Sequence, residues 1–278
     1  IIIDADTANE VDDLFAIYRA INAPELNIKA INSAQFHTSP LASDTSVLES
    51  QWMNRDIIQL MKRTNIPLPI GSNGPLTSIN KSSQSPASNF IVETAKEHSP
   101  EDPLNVVVLG SCTNVASAII QDPSIIPNIS VHYIGFWHDT LSNVFDRKEF
   151  NSGNDTLAVE ILMSTKGLDF NVMTATTCQH LVFDKEQVFE KLGNRGGMEQ
   201  YLLDRWNTYD RWWTKDDPDK LKWIMWDVAI IEALIHPEMA TKRSFSTKPD
   251  NSGRVIEAYT DIDVDAMTDV FWKSAKLN

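Results

Sequence analysis

Residues 1–13 read IIIDADTANEVDD. The β-branched apolar residues Ile1, Ile2 and Ile3 form a short buried strand that breaks abruptly into polar loop residues. Leu14, Phe15, Ile17 and Tyr18 then recur at roughly helical spacing. The acids Asp4, Asp6, Glu10, Asp12 and Asp13 therefore sit where a strand ends and a helix begins. In an open α/β sheet that is the usual ligand crevice. Carboxylates crowded there repel one another unless protons or a cation intervene. Oxygen-only ligands select a hard ion, Ca²⁺ or Mg²⁺, over zinc. The plainer alternative is a solvated acidic loop capping a helix, but five acids directly behind a buried strand favour a site.

Working outward, strands and helices alternate along the whole chain. Strands are expected at 26–33, 66–71, 104–109, 130–136 and 170–174, and helices at 45–63, 89–97, 113–120 and 155–164. Residues 72–88 are rich in Ser, Asn, Pro and Gly and read as a loop. Residues 185–236 read as mostly helical with an interruption near 216–219, followed by a hairpin-like pair, 243–248 and 254–260, and a terminal helix over 264–276. The continuous apolar run Leu104–Leu109 suits a central parallel strand. This alternation predicts an α/β protein: one domain over residues 1–278, built on an open, mainly parallel, Rossmann-like sheet with helices on both faces.

Of the 278 residues, 42% are hydrophobic, which is ordinary for a globular protein, and no apolar run is long enough to span a bilayer. The net charge of −14 argues against a nucleic-acid polymer as partner, because phosphate binding needs a basic surface. A small, nearly neutral ligand fits better. Cys112 and Cys178 are too few for a disulfide scaffold and lack zinc spacing. Because Ile1 is not Met and already lies in a strand, residues are expected ahead of it, and a cleaved secretion signal leaves the same picture. Cytoplasmic and periplasmic or secreted locations both remain open.

Three further patches carry chemistry. Leu109-Gly110-Ser111-Cys112-Thr113-Asn114 follows a strand, where a carbonyl can ligate a hard cation and a glycine permits close approach; an ordinary turn with Thr113 as N-cap is the alternative. Asn143, Glu149-Phe150-Asn151 and Asp155 offer amides and carboxylates suited to sugar hydroxyls, or a polar loop in which Asp155 caps the next helix. Trp226-Asp227 opens an apolar helical run; a lone Asp there is usually a cap and a Trp usually core, but the pair also suits a metal ligand beside a wall for a flat ring.

Taken together and in this order, these motifs resemble the inosine–uridine-preferring nucleoside hydrolases over essentially the full chain. That family opens with a strand and a D-x-D-(x)3-DD loop, continues with a G-x-[LC]-[TS]-N turn and an N-(x)5-EFN-(x)3-D stretch, and places an Asp before a late helix. The matching residues here are Asp4, Asp6, Asp12 and Asp13; Gly110 to Asn114; Asn143, Glu149, Phe150, Asn151 and Asp155; and Asp227. The resemblance implies N-glycosidic bond hydrolysis with one Ca²⁺ held by Asp6, Asp13, the Leu109 carbonyl and Asp227. It makes Asp6 the base that takes a proton from water, gives the ribose 2′ and 3′ hydroxyls to Asp12 and Asn151, and gives the 5′ hydroxyl to Asn143 and Glu149. Trp226 would stack on the base, with purines favoured, and a homo-oligomer is a family habit.

The chain also departs from the pattern. Thr7 to Val11 lengthen the acidic loop, and Asn9 and Glu10 are expected to line the pocket mouth or meet a helix N-terminus without ligating metal, a surface bulge being the alternative. His37 stands where many members have an Asn after the second strand, and is placed with the substrate-binding residues. Trp226 stands where inosine-cleaving members have a His, so the usual proton donor is missing. Two rivals follow: a nucleoside- or sugar-binding protein of the same fold without turnover, and a haloacid-dehalogenase-type phosphatase with Asp4 as nucleophile. The phosphatase reading lacks a late G-D-x-x-x-D pattern and an obvious phosphate-binding Lys.

Overall fold

A computed structural model describes residues 1–248 and 253–275. Its main sheet contains β1 (Ile2–Ala5), β2 (Ala30–Ser33), β3 (Leu104–Val108), β4 (Ile129–Gly135), β5 (Asp169–Thr174), β6 (Ala240–Ser246) and β7 (Val255–Ile262). In space their order is β6-β7-β5-β4-β3-β1-β2. Every neighbouring pair is parallel except β6 with β7, which forms the expected C-terminal hairpin.

The two-residue period of the strands divides the core into two layers. Ile3, Ile31 and Val107 pack with helices Asp12–Ile21, Trp226–Ile235 and Val264–Ser274 on one face. Ile2, Ala30, Val106 and Val131 pack with helices Pro86–Ala95, Thr113–Gln121 and Thr156–Ser164 on the other. Strands buried on both faces explain why they read as unbroken apolar runs. Helices Asp12–Ile21 and Trp226–Ile235 lie side by side and run the same way. Asp227 N donates to Asp12 Oδ2 at one end, while Arg19 forks onto Glu232 at 2.6 and 3.0 Å further along. That buried bidentate pair fixes their stagger, so both N-termini open at the same place.

Several boundaries differ from expectation. The second strand begins only at Ala30, and residues 66–71 form no strand, only an isolated bridge from Ile70 to Ser33. The carbonyls of Pro67 and Pro69 accept from Ile31 N and Ser33 N, but neither proline has an N–H to return. The outward carbonyls of Leu68 and Ile70 are taken by Gln51 Nε2 at 2.7 Å and Ala87 N at 3.0 Å. The expected 185–236 helical stretch is two helices, Lys185–Leu192 and Gly197–Thr208, before the Trp226 helix. Gly196 and Gly197, at φ 70 and 59, make the turn between them. A short hairpin, Val182–Asp184 with Lys222–Ile224, closes the intervening loop. The last helix ends at Ser274, and Lys276, the expected end, lies outside the described residues. Among the described residues no helix is long and apolar enough to cross a membrane.

Candidate active site

A cleft of about 850 Å³, including its solvent-open mouth, lies beyond the carboxyl ends of β1, β3, β4 and β5. Asp6 follows β1, Leu109 follows β3, Ile134 and Trp137 flank the end of β4, and Ala175 follows β5. This is where open α/β sheets bind ligands, because the loops there are free to vary.

The acids gather at its floor. Carboxylate oxygens of Asp12, Asp13 and Asp227 lie within 4.8 Å of one another. Each belongs to the first turn of one of the two parallel helices, whose N-terminal dipoles offset part of the repulsion. Burial, reinforced by the neighbouring carboxylates, pushes Asp6, Asp13 and Asp227 well above the usual carboxylate range. Burial pushes Asp12 up to about 7. Asp6 Oδ2 and Asp13 Oδ1 are buried without a hydrogen-bond partner. Buried charges are paired or coordinate metals, and oxygens 2.3–2.6 Å from one ion stand at most about 5 Å apart. The donor set thus fits a hard divalent cation. Asp6 is not among the three clustered acids, whereas Asp12, assigned by resemblance to a sugar hydroxyl, is one of them.

Gly110 makes room for Asp6. A Cβ at Gly110 would stand 2.7 Å from Asp6 Oδ1 and 2.9 Å from its Cβ. Leu109 lines the cleft, and its carbonyl accepts from Asn151 Nδ2 at 2.6 Å, which leaves it a second lone pair. Past Leu109 the turn is structural. Cys112 rather than Thr113 is the N-cap residue, Ser111 bonds Gln35, and Asn114 bonds Asp4 Oδ1 at 2.8 Å. Asp4 does not line the cleft, so it is not placed as the nucleophile that the phosphatase reading required.

The EFN stretch divides. Glu149, Phe150 and Asn151 line the cleft. Glu149 also caps its helix: Oε1 accepts from Asn151 N, and Oε2 from Ser152 N, Ser152 Oγ and Phe136 N. Asp155 stays outside, capping the next helix through Ala158 N and joining Leu76 N to Thr113 Oγ1. Two expected residues miss the cleft. Asn143 sits in a hairpin turn at φ 51, and its Nδ2 reaches across to Ser246 O at 2.8 Å, beside a separate surface depression. His37 is exposed and donates from Nδ1 to Gln35 Oε1 at 2.6 Å, which turns it toward its own loop.

Trp226 and Asp227 do line the cleft, as do Asn9 and Glu10 of the long loop. Glu10 Oε2 accepts the indole N–H of Trp223 at 3.1 Å, and Arg205 grips the backbone carbonyls of Ala8 and Glu10. The sequence reading missed Trp137, Trp212 and Trp213, which also line the cleft. The signal was present in the tryptophan-rich run 206–226, yet only some of these rings are core: Trp206 and Trp223 are buried, whereas Trp212 and Trp213 stand at the mouth.

A family model described as inosine-uridine preferring nucleoside hydrolase matches residues 1–273. The chain is similar to a probable uridine nucleosidase 1 of Oryza sativa subsp. japonica, at 24% identity over 91% of this chain and 82% of that one. It also resembles a pyrimidine-specific ribonucleoside hydrolase, RihA, of Salmonella paratyphi B, at 28% identity over 59% of this chain and 57% of that one. Among solved structures, the purine-preferring ribonucleoside hydrolase of Gardnerella vaginalis superposes with a TM-score of 0.74 at 18% identity, covering 99% of this chain and 97% of that one. A plant nucleoside hydrolase, PpNRh1, superposes at 0.75 with 17% identity, over 100% and 98%. These superpositions bear out the α/β fold.

Proposed function

Because the chain belongs to the inosine-uridine preferring nucleoside hydrolase family, and is therefore an N-glycosidase, we propose that it hydrolyses ribonucleosides with a Ca²⁺-activated water and leans toward purines. The observation that carries this reading is the buried set of carboxylates, drawn from both ends of the chain, facing an aromatic-lined cleft. Asp6, Asp13, Asp227 and the Leu109 carbonyl would hold the ion, and Asp12 clusters with Asp13 and Asp227 beside them. When bound, Ca²⁺ supplies positive charge that lowers the pKa of a ligating water.

Asp6 takes the proton of the attacking water. Its Oδ2 is unpartnered, and the bare backbone at Gly110 leaves the room it occupies. One oxygen of Asp12 is tied to Asp227 N, which leaves the other for a ribose hydroxyl. Asn151 commits its Nδ2 to the carbonyls of Leu109 and Ile134 and offers Oδ1 to the sugar. Glu149 has its spare acceptor capacity on Oε1, suited to the 5′ hydroxyl. As the C1′–N bond stretches, these carboxylates stabilise the oxocarbenium-like sugar. Trp226 offers its face to the departing base, and a larger purine gains more from stacking.

Release of reducing sugar from inosine, guanosine, adenosine and uridine tests the reading. Inosine should exceed uridine in kcat/KM, and Trp226→Ala should narrow the gap. No ribose from any nucleoside would sink the hydrolase reading; a wild-type preference for uridine, or an unchanged ratio in the variant, would sink the purine preference.

A further inference from the structure

Five aromatic rings line the cleft: Trp137, Phe150, Trp212, Trp213 and Trp226. They form two linked groups. Trp137 meets Trp226 edge to face at 5.9 Å, and Trp212 lies 6.2 Å from Phe150 and 5.6 Å from Trp213. Trp137, Trp212 and Trp213 remain 38–41% exposed, so their rings are open to a ligand in the cleft. No Lys, Arg or His lines this cleft among the described residues. The two nearby guanidinium groups are turned away: Arg205 lies over Tyr209 and bonds loop carbonyls, and Arg211 lies over Trp223 and bonds Lys222 O. Glu10 accepts the Trp223 indole N–H at 3.1 Å, which fixes its carboxyl at the cleft wall. The site thus combines electron-rich ring faces with six carboxyl groups, those of Asp6, Glu10, Asp12, Asp13, Glu149 and Asp227, and no cationic side chain among the described residues.

We propose that the favoured substrates are nucleosides whose base carries a fixed positive charge, such as N7-alkylated purines or N-ribosyl pyridiniums, and that Trp137, Trp212 and Trp213 form the subsite that selects them. The proposal rests on the hydrolase reading above and names its substrate class. A neutral base must gain a proton to leave as a neutral molecule, and among the described residues no Lys, Arg or His lines the cleft to supply one. A cationic base needs none. The C1′–N bond breaks with its electron pair passing to the ring nitrogen, which discharges the ring. The C1′–O bond forms from water, whose proton goes to Asp6. Before that step, the ring faces attract the cation, with no cationic side chain among the described residues lining the cleft to repel it.

Two ligands that differ by one N-methyl group and the charge it fixes provide the test: 1-methylnicotinamide, a permanent pyridinium, and neutral nicotinamide, each titrated against the calcium-loaded protein by tryptophan fluorescence. The cation should bind about tenfold tighter, the ratio that one partly desolvated cation–π contact supplies. Trp137→Leu with Trp212→Leu should remove that difference, whereas Trp52→Leu, at an exposed position of helix Ser46–Leu60 outside the cleft lining, should not. Equal affinities in the wild type, or a difference that survives the double substitution, would overturn the proposal. In turnover, 7-methylguanosine should exceed guanosine in kcat/KM by more than the ratio of their uncatalysed rates; a ratio no larger would also overturn it. Cleavage of inosine with no preference for cations refutes this inference alone, whereas failure to cleave any nucleoside refutes the hydrolase reading.

Discussion

Replacing Gly110 by Ala puts a methyl group where Asp6 now lies. The new Cβ would stand 2.7, 2.8 and 2.9 Å from Asp6 Oδ1, Cγ and Cβ. Non-bonded carbons settle at about 3.5–4.0 Å, so Asp6 must withdraw by roughly 0.6–1 Å. Turning the carboxylate cannot relieve a clash that includes Asp6 Cβ, and the strand ahead of it is hydrogen-bonded on both sides, so the strain falls on the loop. A misplacement of about 1 Å lowers turnover by about 10²-fold, while overpacking destabilises by about 1–3 kcal/mol. The assay is steady-state hydrolysis of the best nucleoside beside a urea titration. We expect kcat to fall by about 10² with the protein still folded. Gly74→Ala, where a Cβ meets nothing within 4 Å, should change neither measurement. Wild-type kcat in a folded Gly110→Ala protein would refute the idea that Asp6 is held at one productive position.

Asp6→Asn should lower kcat by about 10² or more, through loss of the base and of a ligand together; stopped-time ribose release measures it. Because burial and mutual repulsion raise the floor carboxylates above their ordinary range, the metal-free fold holds their protons more tightly than the unfolded chain does, and its stability falls as pH rises. Calcium should therefore raise Tm more at about pH 8 than at about pH 5, which scanning calorimetry with and without chelator reads; an equal rise at both would refute it. His132, buried beside Asn105 and Ser130, is held down to about 4 from 6.5. Its contribution is intact above pH 6.5 and about 3 kcal/mol is lost as pH falls to 4; urea titrations of His132→Gln should show that much less acid sensitivity. Arg19→Met should destabilise by about 3–5 kcal/mol, because Glu232 is left charged and buried; a smaller loss in Arg19→Met, Glu232→Leu would show that the isolated charge is responsible.

The opening strand and its acids were legible because an abrupt switch from Ile1–Ile3 to Asp4 has few other uses, and the long-range placement of Asp227 followed from motif order. Trp212 and Trp213 were not legible as lining residues, since neighbouring tryptophans in the same run are core and local composition does not separate them. Matching by position also overreached at Asn143, where the left-handed hairpin turn carries the amide to Ser246, and at His37, which its neighbour Gln35 captures. Residues 66–71 have strand composition, but Pro67 and Pro69 remove the donors a ladder needs.

Those prolines also bear on how the folded protein behaves in a crowded solution. Beyond β2 the chain supplies its own partial strand, and the two outward carbonyls that a foreign strand would seek, those of Leu68 and Ile70, are already occupied. The opposite rim, β6, carries the adjacent cations Lys242 and Arg243, which disfavour stacking against a like copy. Neither rim is a ready template for strand addition. Self-association into fibrils would thus require the molecule to open first, so any ligand that holds the closed state together would also protect against precipitation.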